Sequence, residues 1–521
     1  MLRPRARRDG PVGCGVVPTA ASKTLLGAVI VGAAALRFPT LDTQSFWADE
    51  AVTVDLLSRS FGDMLGSIGD SESTPPLYYV VAWLWTQVCG TGEVGLRSLS
   101  ALLGTALVPV AWALAGRIGG AGRAGRLGDR AAIFGALLVA TNPLLVWFSQ
   151  EARAYALLAL LVALSLLALM RALETPSRGR LLAWGSIAAL ALATHYFALF
   201  FVIAEGLWLI WKRGPRSGAL ALVLPVLAAA ALAPLATAQR EADRAGFIRE
   251  APVGERIAQV PKQFLAGYDA PAETLVAVIA GVLVGAGLVA LVLRRRWRAR
   301  ATDDPGALRA QDPRREPAAA VTAAAIAVSL LAPAFLAAVG SDYIIARNLL
   351  ATLAPLLVLT AAGLALLPRW VGGSAAGLLA LLWAAVVVAV AGDPALQRDD
   401  WRTAAASLGP VDPGGGRGVL VLPGSGRVPA TLYLPRSEAV PRAQEAIEVM
   451  EISVVSVASQ QGPEPRTAPG IRVDPPPLGF RLVARDRGET WSTVRFRAPA
   501  PVPVSNLVLS SNGGALLMQR R

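Results

Sequence analysis

Long, uninterrupted runs of apolar residues constrain the fold of this chain more than any other feature. Many of them are about 18 to 24 residues long, the length that an α-helix needs to cross a ~30 Å hydrocarbon core. Of the 521 residues, 54% are hydrophobic and 16% are charged, and the mean hydropathy is +0.51. Soluble proteins carry about 25% charged residues. The sequence therefore predicts an all-α polytopic membrane protein.

About eleven spanning helices are expected from this length rule. They are expected at about 22–40, 97–117, 131–148, 154–172, 181–197, 198–211, 218–238, 273–293, 318–340, 349–367 and 373–391. The stretch "PPLYYVVAWLWTQVCG" at 75–90 is shorter, and its Trp and Tyr side chains favour the headgroup region. We expect this stretch to lie at the interface without crossing.

Basic residues are concentrated in short loops between the apolar runs, and this distribution predicts the orientation of the chain. The positive-inside rule places those loops in the cytoplasm, together with the basic N-terminus at 1–21. The net charge of +13 then reflects topology, and nucleic acid is not an expected partner. The first outer loop, 41–96, carries eight acidic residues and only Arg59 as a basic residue. Because 46 of the 49 basic residues are Arg, in a chain rich in Ala and Gly, we expect a bacterial plasma-membrane protein.

The composition changes after the last apolar run. Residues 22–395 are expected to form the transmembrane domain, and 396–521 a small extracytoplasmic domain that is α/β or β-rich. This last part is rich in Pro, Gly and polar residues, and alternating apolar residues in short runs predict strands. The runs are "GVLVLP", "EISVVSVA", "FRLVARD", "STVRFRA" and "NLVLSS", preceded by the helix-like "DDWRTAAASLG".

Ionisable and polar residues gather at the predicted outer ends of the apolar runs. Charged groups are costly near the hydrocarbon core, so residues retained there are candidates for function. They come from at least five separate segments, which suggests that they line one cavity. The candidates are Asp49, Glu50, Glu72, Arg97, Gln150, Glu151, Arg153, Tyr155, His195, Tyr196, Asp342, Tyr343 and Arg347.

The adjacent carboxylates of "FWADEAVT", Asp49 and Glu50, are the candidate catalytic residues. A carboxylate at a membrane-edge cavity can act as a general base towards an attacking hydroxyl. The alternative is a solvated helix cap. Hard cations also prefer carboxylate oxygens, so a divalent metal stays an open alternative, and no other cofactor is expected.

Three arginines are candidates for binding an anionic group. Arg153, in "SQEARAY", offers a planar fork of donors that suits phosphate, and Glu151 could orient it. The alternative is a simple charge pair in a loop. Arg97 and Arg347 each begin a predicted helix at its outer end, where an arginine is often only an interfacial anchor. His195 is the one histidine of the chain, and such a residue is more often structural than a metal ligand.

The order of short motifs along residues 20–410 resembles the GT-C superfamily of integral-membrane glycosyltransferases. The resemblance is to the bacterial branch near the protein O-mannosyltransferases and the lipid A aminoarabinose transferases, which is glycosyltransferase family 39-like. The motifs are "FWADE", "STPPLYY", "GEVGLRSLSALLG", "NPLLVWFSQEARAY", "THYFALFF", "ARNLLATLAPLLVL" and "DDWRTAAASL". The C-terminal domain does not take part in this resemblance.

The resemblance implies an activity and a set of site residues. The donor would be a polyprenyl-phosphate-linked hexose or pentose, and the acceptor a hydroxyl of a glycan, lipid or protein at the outer face. Asp49 matches the catalytic base of such enzymes, and Glu50 the acidic position beside it. Arg97, Arg153 and Arg347 match residues near the donor phosphate, with a supporting set made of Glu72, Glu151, Tyr155, His195 and Tyr196. Relatives often carry a His where this chain has Thr74, so contacts made by that His are not implied here.

Three other functions compete with an inverting monosaccharide transfer. A polymerase or ligase of lipid-linked glycans would use the same donor chemistry with a whole oligosaccharide. A lipid or solute transporter would need polar residues and broken helices near the middle of the membrane. The predicted spans are instead nearly pure Ala, Leu and Val, which favours an enzyme at the interface. The third alternative is a membrane-anchored binding protein whose C-terminal domain carries the function.

Overall fold

The computed structural model describes residues 20–120, 126–244, 246–300, 317–412, 415–441, 446–458, 467–471, 476–505 and 513–520. Most of the predicted cytoplasmic N-terminus at 1–21 and the predicted strand "NLVLSS" at 506–511 lie outside these residues. The described chain forms a mostly helical part that is followed by a small domain built on a β-sheet.

The helical part extends from α1 to α16. The helices are α1 (Ala20–Ala35), α2 (Ala48–Leu57), α3 (Phe61–Ser71), α4 (Leu77–Cys89), α5 (Glu93–Gly119), α6 (Arg126–Thr141), α7 (Pro143–Ser149), α8 (Tyr155–Glu174), α9 (Arg178–Thr194), α10 (Ala198–Arg213), α11 (Pro215–Glu241), α12 (Val253–Ala266), α13 (Glu273–Arg300), α14 (Pro317–Ala338), α15 (Leu353–Leu364) and α16 (Arg369–Gly392). Each predicted span coincides with one of these helices or, at 131–148, with the pair α6 and α7.

Length and composition qualify only some of these helices as membrane spans. Within the described ranges, six helices are long and apolar enough to cross a membrane, or seven if the bent pair α6–α7 counts as one span. The six are α5, α8, α11, α13, α14 and α16. Helices α1, α9 and α10 have only 16, 17 and 16 residues, and α15 has 12. The chain is therefore a multi-pass protein by these criteria, and the number of eleven crossings stays a prediction.

The predicted first outer loop, 41–96, is itself helical. It contains α2, α3 and α4. The Ser60 side chain begins α3 by accepting the N–H of Asp63, which satisfies one of the free donors at that helix end. Helix α4 covers most of the aromatic stretch 75–90 and has 13 residues, too few for a perpendicular crossing. Its place at the interface stays a prediction.

A sharp break between α6 and α7 turns the chain towards the first loop. The two helices meet at 59°, and Pro143 occupies the first position of α7, where its missing N–H costs nothing. The Asn142 side chain caps α7 by accepting the N–H of Leu145 at 3.1 Å. At the end of α6, the buried Arg37 donates to the carbonyl of Ala140 at 2.8 Å. Backbone groups exposed by the break thus find hydrogen-bond partners within the protein, so the break is a stable feature of the fold.

Small residues allow the helices to pack closely. A Cβ atom added at Gly363 in α15 would lie 1.8 Å from the carbonyl oxygen of Gly287 in α13. The two backbones thus touch, as small residues permit in membrane helix pairs. Large side chains fill the remaining space, and Trp184 and Trp383 are fully buried.

In its described residues, the small domain contains a six-stranded sheet and two short α-helices. The sheet order is β2-β6-β1-β3-β5-β4, with β1 parallel to β3 and the other neighbours antiparallel. The elements are α17 (Trp401–Ser407), β1 (Arg417–Leu422), α18 (Arg427–Tyr433), β2 (Ser437–Ala439), β3 (Ala446–Val457), β4 (Arg481–Arg487), β5 (Trp491–Ser505) and β6 (Ala515–Gln519).

The apolar pattern of this domain produces its core. Trp401 from α17 packs with Val419 of β1 and Leu517 of β6, and all three are at most 1% exposed. The predicted strands "GVLVLP", "EISVVSVA", "FRLVARD" and "STVRFRA" coincide with β1, β3, β4 and β5, and "DDWRTAAASLG" contains α17. The predicted small C-terminal sheet domain is confirmed.

Candidate active site

The segment Phe46 to Glu50 enters the first turn of α2. Trp47 is extended at the N-cap, so the helix begins at Ala48 and places both carboxylates of Asp49 and Glu50 near its N-terminus. Negative charge there is favoured by the helix dipole. Adjacent residues of an α-helix point about 100° apart, because one turn contains about 3.6 residues. The two carboxylates consequently face different surroundings.

The Glu50 side chain is completely buried against Arg97. Arg97 Nε and Nη2 lie 2.8 and 2.5 Å from the two carboxylate oxygens of Glu50. The backbone N–H of Ala152 donates to the same carboxylate at 2.8 Å. Burial raises the pKa of Glu50, but the Arg97 guanidinium and these hydrogen bonds outweigh it, so its pKa lies below the usual value. Glu50 is a charged group whose acceptors are already used.

Arg97 is equally saturated. Its remaining N–H groups donate to the carbonyl oxygens of Leu41, Gln44 and Ser45 at 2.7 to 2.9 Å. The side chain is 1% exposed, and a guanidinium has only five N–H donors. Neither a catalytic Glu50 nor a phosphate-binding Arg97, both expected from the sequence, fits this geometry. The pair instead ties the first loop to α5.

The Asp49 carboxylate, unlike that of Glu50, is accessible and only partly hydrogen-bonded. Its side chain is 33% exposed, and one carboxylate oxygen, Oδ2, lies 2.9 Å from Arg347 Nη1. Among the residues that the structure describes, Oδ1 has no hydrogen-bond partner. An accessible carboxylate with a free oxygen is able to accept a proton from a hydroxyl group.

Two arginines flank Asp49 and retain free donors. Arg153 uses only Nη1, which donates to Glu72 at 2.8 Å, to Thr53 at 3.1 Å and to the carbonyl of Asp49 at 3.3 Å. Arg347 likewise uses only Nη1, towards Asp49. In the described part of the chain, Nε and Nη2 of both side chains make no hydrogen bond. Two guanidinium groups contact Asp49, Arg347 at its carboxylate and Arg153 at its backbone carbonyl, and both retain N–H groups for an anionic ligand.

Aromatic rings hold Arg347 in place. Its guanidinium carbon lies 5.3 Å from the centre of the Phe247 ring and 6.0 Å from that of Trp47. The Arg347 side chain is 18% exposed. Cation–π contacts and the Asp49 pair together fix a cation that still reaches solvent.

The predicted supporting residues divide into two groups. Tyr155 lies between Phe148 and His195, with ring centres 4.8 and 5.9 Å away, and is part of the same buried wall. His195 Nδ1 accepts the N–H of Phe197 at 3.2 Å, which leaves the proton of the neutral ring on Nε2. Both residues face the charges of Arg153 and Arg347, which act on them electrostatically.

Tyr196 is directed elsewhere. Its hydroxyl donates to Gln239 Oε1 at 2.7 Å, and Gln239 Nε2 donates to the carbonyl of Thr74 at 3.2 Å. This chain of bonds links α11 to the first loop. Thr74 itself is paired with the Tyr79 hydroxyl at 2.9 Å. Tyr196 and Thr74 therefore shape the loop and make no hydrogen bond to Asp49.

Glu151 forms a second buried ion pair. The sequence made Glu151 a candidate site residue but gave no sign of its partner, Arg398. Its Oε2 atom lies 2.9 Å from Arg398 Nη2, and both side chains are 1% exposed. Oε1 is buried and has no hydrogen-bond partner among the described residues. Burial raises the pKa of Glu151 to about 7, although Arg398 opposes the rise. We expected Glu151 to orient Arg153, but the carboxylate that pairs with Arg153 is that of Glu72.

Arg398 was not predicted from the sequence to be near the site. It follows the last apolar helix, and its guanidinium stacks 4.1 Å from the centre of the Trp147 ring. An arginine just beyond a span is usually interpreted as an interfacial anchor. Only its position in "QRDDWR", directly before the motif "DDWRTAAASL", could have indicated a role near the site. Asp342 pairs with Arg256 of α12, and the Tyr343 carbonyl accepts from Asn348.

The described residues contain no group of three or more His, Cys, Asp or Glu side chains that could hold a metal ion.

Part of the chain matches a known family in sequence. Residues 73–238 match the family described as dolichyl-phosphate-mannose-protein mannosyltransferase. This range includes Arg97, Glu151 and Arg153, but not Asp49. No curated protein sequence matches the chain.

Solved structures match over much more of the chain. ArnT from Cupriavidus metallidurans bound to undecaprenyl phosphate is 14% identical, with a TM-score of 0.51 over 91% of this chain and 98% of that chain. ArnT in the apo state is 17% identical, with a TM-score of 0.45 over 68% and 62%. Arabinosyltransferase EmbB from Mycobacterium smegmatis is 16% identical, with a TM-score of 0.39 over 70% and 32%. The family match and the fold shared with ArnT support the resemblance to GT-C glycosyltransferases that the motifs indicated.

Proposed function

We propose that this chain, a GT-C-type membrane glycosyltransferase, transfers one hexosyl or pentosyl unit from a polyprenyl-phosphate donor to an acceptor hydroxyl at the outer face of a bacterial plasma membrane. One observation carries the proposal. Asp49 has a free, accessible carboxylate oxygen, its other carboxylate oxygen binds Arg347, and its backbone carbonyl accepts from Arg153. The remaining N–H groups of both arginines are available to an anion. The undecaprenyl phosphate bound by ArnT, which has the same fold, is a ligand of this chemistry.

The reaction is a direct displacement at the anomeric carbon. The acceptor oxygen forms a bond to that carbon while the bond from the carbon to the phosphate oxygen breaks. The acceptor proton passes to Asp49, and the polyprenyl phosphate leaves with the bonding electron pair. Attack from the face opposite the leaving group inverts the anomeric centre. No sugar nucleotide is required, because the lipid phosphate is already a good leaving group.

The two arginines supply the other half of the catalysis. Negative charge grows on the phosphate oxygens as the bond breaks, and fixed N–H donors that are aimed at those oxygens stabilise the transition state. Arg153 and Arg347 both keep such donors, and each is already held by a carboxylate, Glu72 for Arg153 and Asp49 for Arg347. Fixed donors need little reorganisation during the reaction, so their effect on the barrier is larger than that of mobile side chains.

The buried pair Glu50–Arg97 has a positioning role in this proposal. Glu50 accepts from Arg97 and from the backbone of Ala152, and so connects α2 to α5 and to the segment that contains Arg153. Displacing that segment would displace the base and a phosphate ligand together. His195 and Tyr155 form the wall beside the arginines and limit the access of water.

The orientation and domain roles belong to the same proposal. Residues 1–21 lie in the cytoplasm, 22–395 form the transmembrane domain, and 396–521 lie outside the cell with the site. A cysteine-accessibility experiment tests this orientation in a chain whose exposed native Cys89 is replaced by Ser. A membrane-impermeant thiol reagent should label a cysteine placed at the exposed Leu478 in intact cells. Labelling only after lysis would place the domain in the cytoplasm.

Transfer from a panel of radiolabelled donors tests the function itself. Membranes containing the chain would be supplied with undecaprenyl-phosphate-linked monosaccharides, and with a diphosphate-linked oligosaccharide. Incorporation from one monosaccharide donor, absent from membranes without the chain, is the expected result. Incorporation only from the oligosaccharide would identify a polymerase or ligase. If no donor supports incorporation although the protein is folded and inserted, the proposal is wrong.

A further inference from the structure

The small domain contacts the segment that leads into Asp49. Helix α18 packs against α2, and its last residue, Tyr433, reaches the first loop. The Tyr433 hydroxyl accepts the backbone N–H of Phe46 at 2.7 Å and donates to Glu93 Oε1 at 2.8 Å. A phenol group has one donor, and here both that donor and an acceptor site are used. The contact is thus a specific bridge between the two domains.

Phe46 connects this bridge to the carboxylates. It lies three residues before Asp49 and is 4% exposed. The guanidinium carbon of Arg97 lies 5.0 Å from the centre of the Phe46 ring, and Arg97 in turn binds Glu50. The backbone of Phe46 determines where α2 begins, because Trp47 is the N-cap of that helix. A shift at Phe46 would therefore move Asp49.

Further contacts from the same domain hold the residues before Phe46. The Ser45 hydroxyl donates to the carbonyl of Asp399 at 2.6 Å and accepts the N–H of Trp401 at 3.0 Å. Arg402 in α17 donates to the carbonyl of Asp42 at 2.7 Å and lies 3.3 Å from Glu93. Segment 42–46 is thus held by hydrogen bonds from residues 399–402 and from Tyr433.

We propose that the small domain completes the active site, and that Tyr433 is a positioning residue that holds Asp49 in place through Phe46. The inference rests on the proposed function, which assigns Asp49 as the base. It gives the domain a role in the transfer itself, in contrast to a separate binding function. A chain that ends near Trp401 should consequently be inactive, even though all the residues around Asp49 remain.

Replacing Tyr433 by Phe is the sharpest test, because it removes one oxygen and keeps the ring. Small displacements of a catalytic group can reduce a rate by as much as about 100-fold. We expect Tyr433→Phe to lower kcat about 10- to 100-fold. The KM for the donor should change little, because Arg153 and Arg347 are not touched. The matched control is Ser407→Ala, which removes a 3.0 Å hydrogen bond to Thr493 inside the same domain and should leave the rate unchanged.

A double substitution separates positioning from a loss of folded protein. If Tyr433 acts through Asp49, then Tyr433→Phe should hardly change the residual rate of an Asp49→Asn enzyme. A multiplicative loss in that background would mean that the substitution reduces the folded fraction, and it would overturn the inference. An unchanged rate for Tyr433→Phe alone would also overturn it.

Hydrogen–deuterium exchange tests the bridge without any assay of activity. The amide of Phe46 should exchange about 2- to 10-fold faster in Tyr433→Phe, as expected for the loss of one hydrogen bond. It should be unchanged in Ser407→Ala. Equal exchange in all three proteins would overturn the positioning role, whatever the transfer assays give. Faster exchange in a chain that transfers no sugar would instead count against the proposed function only.

Discussion

Asp49 and Glu50 are neighbours in sequence, yet the fold gives them different surroundings. Glu50 is fully buried, and Arg97 and Ala152 occupy its carboxylate oxygens. Asp49 is one-third exposed, shares one oxygen with Arg347 and keeps the other free. The difference follows from helix geometry, since adjacent positions face directions about 100° apart. One carboxylate fixes the structure, and the other remains able to exchange a proton.

The two arginine partners differ in the same way. All N–H donors of Arg97 make hydrogen bonds to Glu50 or to backbone carbonyls. Arg347 uses a single nitrogen, and two aromatic rings hold the rest of its guanidinium. A phosphate group can therefore bind to Arg347 without breaking an existing bond, but not to Arg97. Substitutions in the two pairs should separate activity from stability.

The largest effect is expected for the accessible carboxylate. Asp49→Asn should lower turnover about 10²- to 10⁴-fold, the usual contribution of a general base. The thermal unfolding midpoint should stay close to that of the native chain, because Asp49 is partly exposed. Transfer from the radiolabelled donor measures the first quantity. Asp55→Asn is the control: Asp55 lies in the same helix, pairs with Arg59 at the surface and should be replaceable.

The buried pair Glu50–Arg97 should affect the stability of the fold more than the transfer reaction. Arg97→Met would leave the Glu50 carboxylate buried without its cation, which costs about 3 to 5 kcal/mol. Thermal unfolding in detergent measures this loss. Arg59→Met is the same substitution in an exposed ion pair, and it should change stability little. If the two variants unfold at the same temperature, the structural role of Arg97 is wrong.

Arg347→Ala and Arg153→Ala should weaken the use of the donor. Each removes a charge-assisted hydrogen bond to phosphate, worth about 1.5 to 3 kcal/mol, so kcat/KM for the lipid-phosphate donor should fall about 10- to 100-fold. Dependence on the acceptor should be nearly unchanged. Arg153→Ala also leaves Glu72 buried and unpaired, and Arg347→Ala also removes the ion pair of Asp49, so the two variants are compared with each other. Arg240→Ala, at an exposed helix end, controls for the loss of charge, and unchanged donor dependence would make both arginines structural.

The smallest effect is a pH dependence of stability that originates at Glu151. Its pKa of about 7 in the folded chain exceeds the ordinary value of 4.5, so the folded state binds more protons between these two values. Stability should therefore fall as pH rises from about 4.5 to about 7, and then remain level. Glu151→Gln should flatten this part of the profile of thermal midpoint against pH. An unchanged slope would assign the pH dependence to other groups.

Much of the fold follows from local patterns. Apolar runs of about 20 residues predict helices such as α5 and α16 because a span needs that length. Alternating residues predict β1 and β3 because side chains of a strand point to opposite faces. The helices of 16 or 17 residues show the limit of the length rule, since it does not say whether a shorter helix crosses.

The site could be predicted only in outline. The motifs made Asp49, Arg153 and Arg347 candidates, and the fold brings these three residues into contact. Spacing does not reveal which arginine pairs with which carboxylate. Arg97 and Glu50 are 47 positions apart, and Arg398 and Glu151 are 247 positions apart. Such pairs exist only once the chain has folded. For the same reason, nothing in the sequence around Tyr433 indicated its contact with Phe46.

Turnover per folded molecule, compared between Asp49→Asn and Glu50→Gln, shows which of the two adjacent carboxylates is catalytic. Folded protein would be quantified from its unfolding transition, and transfer measured with the same donor. We expect Asp49→Asn to keep its folded fraction and to lose turnover by about 100-fold or more. Glu50→Gln should lose folded protein, while the molecules that remain folded turn over within about tenfold of the native rate. The reverse pattern, with an active Asp49→Asn and a folded but inactive Glu50→Gln, would make Glu50 the catalytic carboxylate and exclude Asp49 as the base.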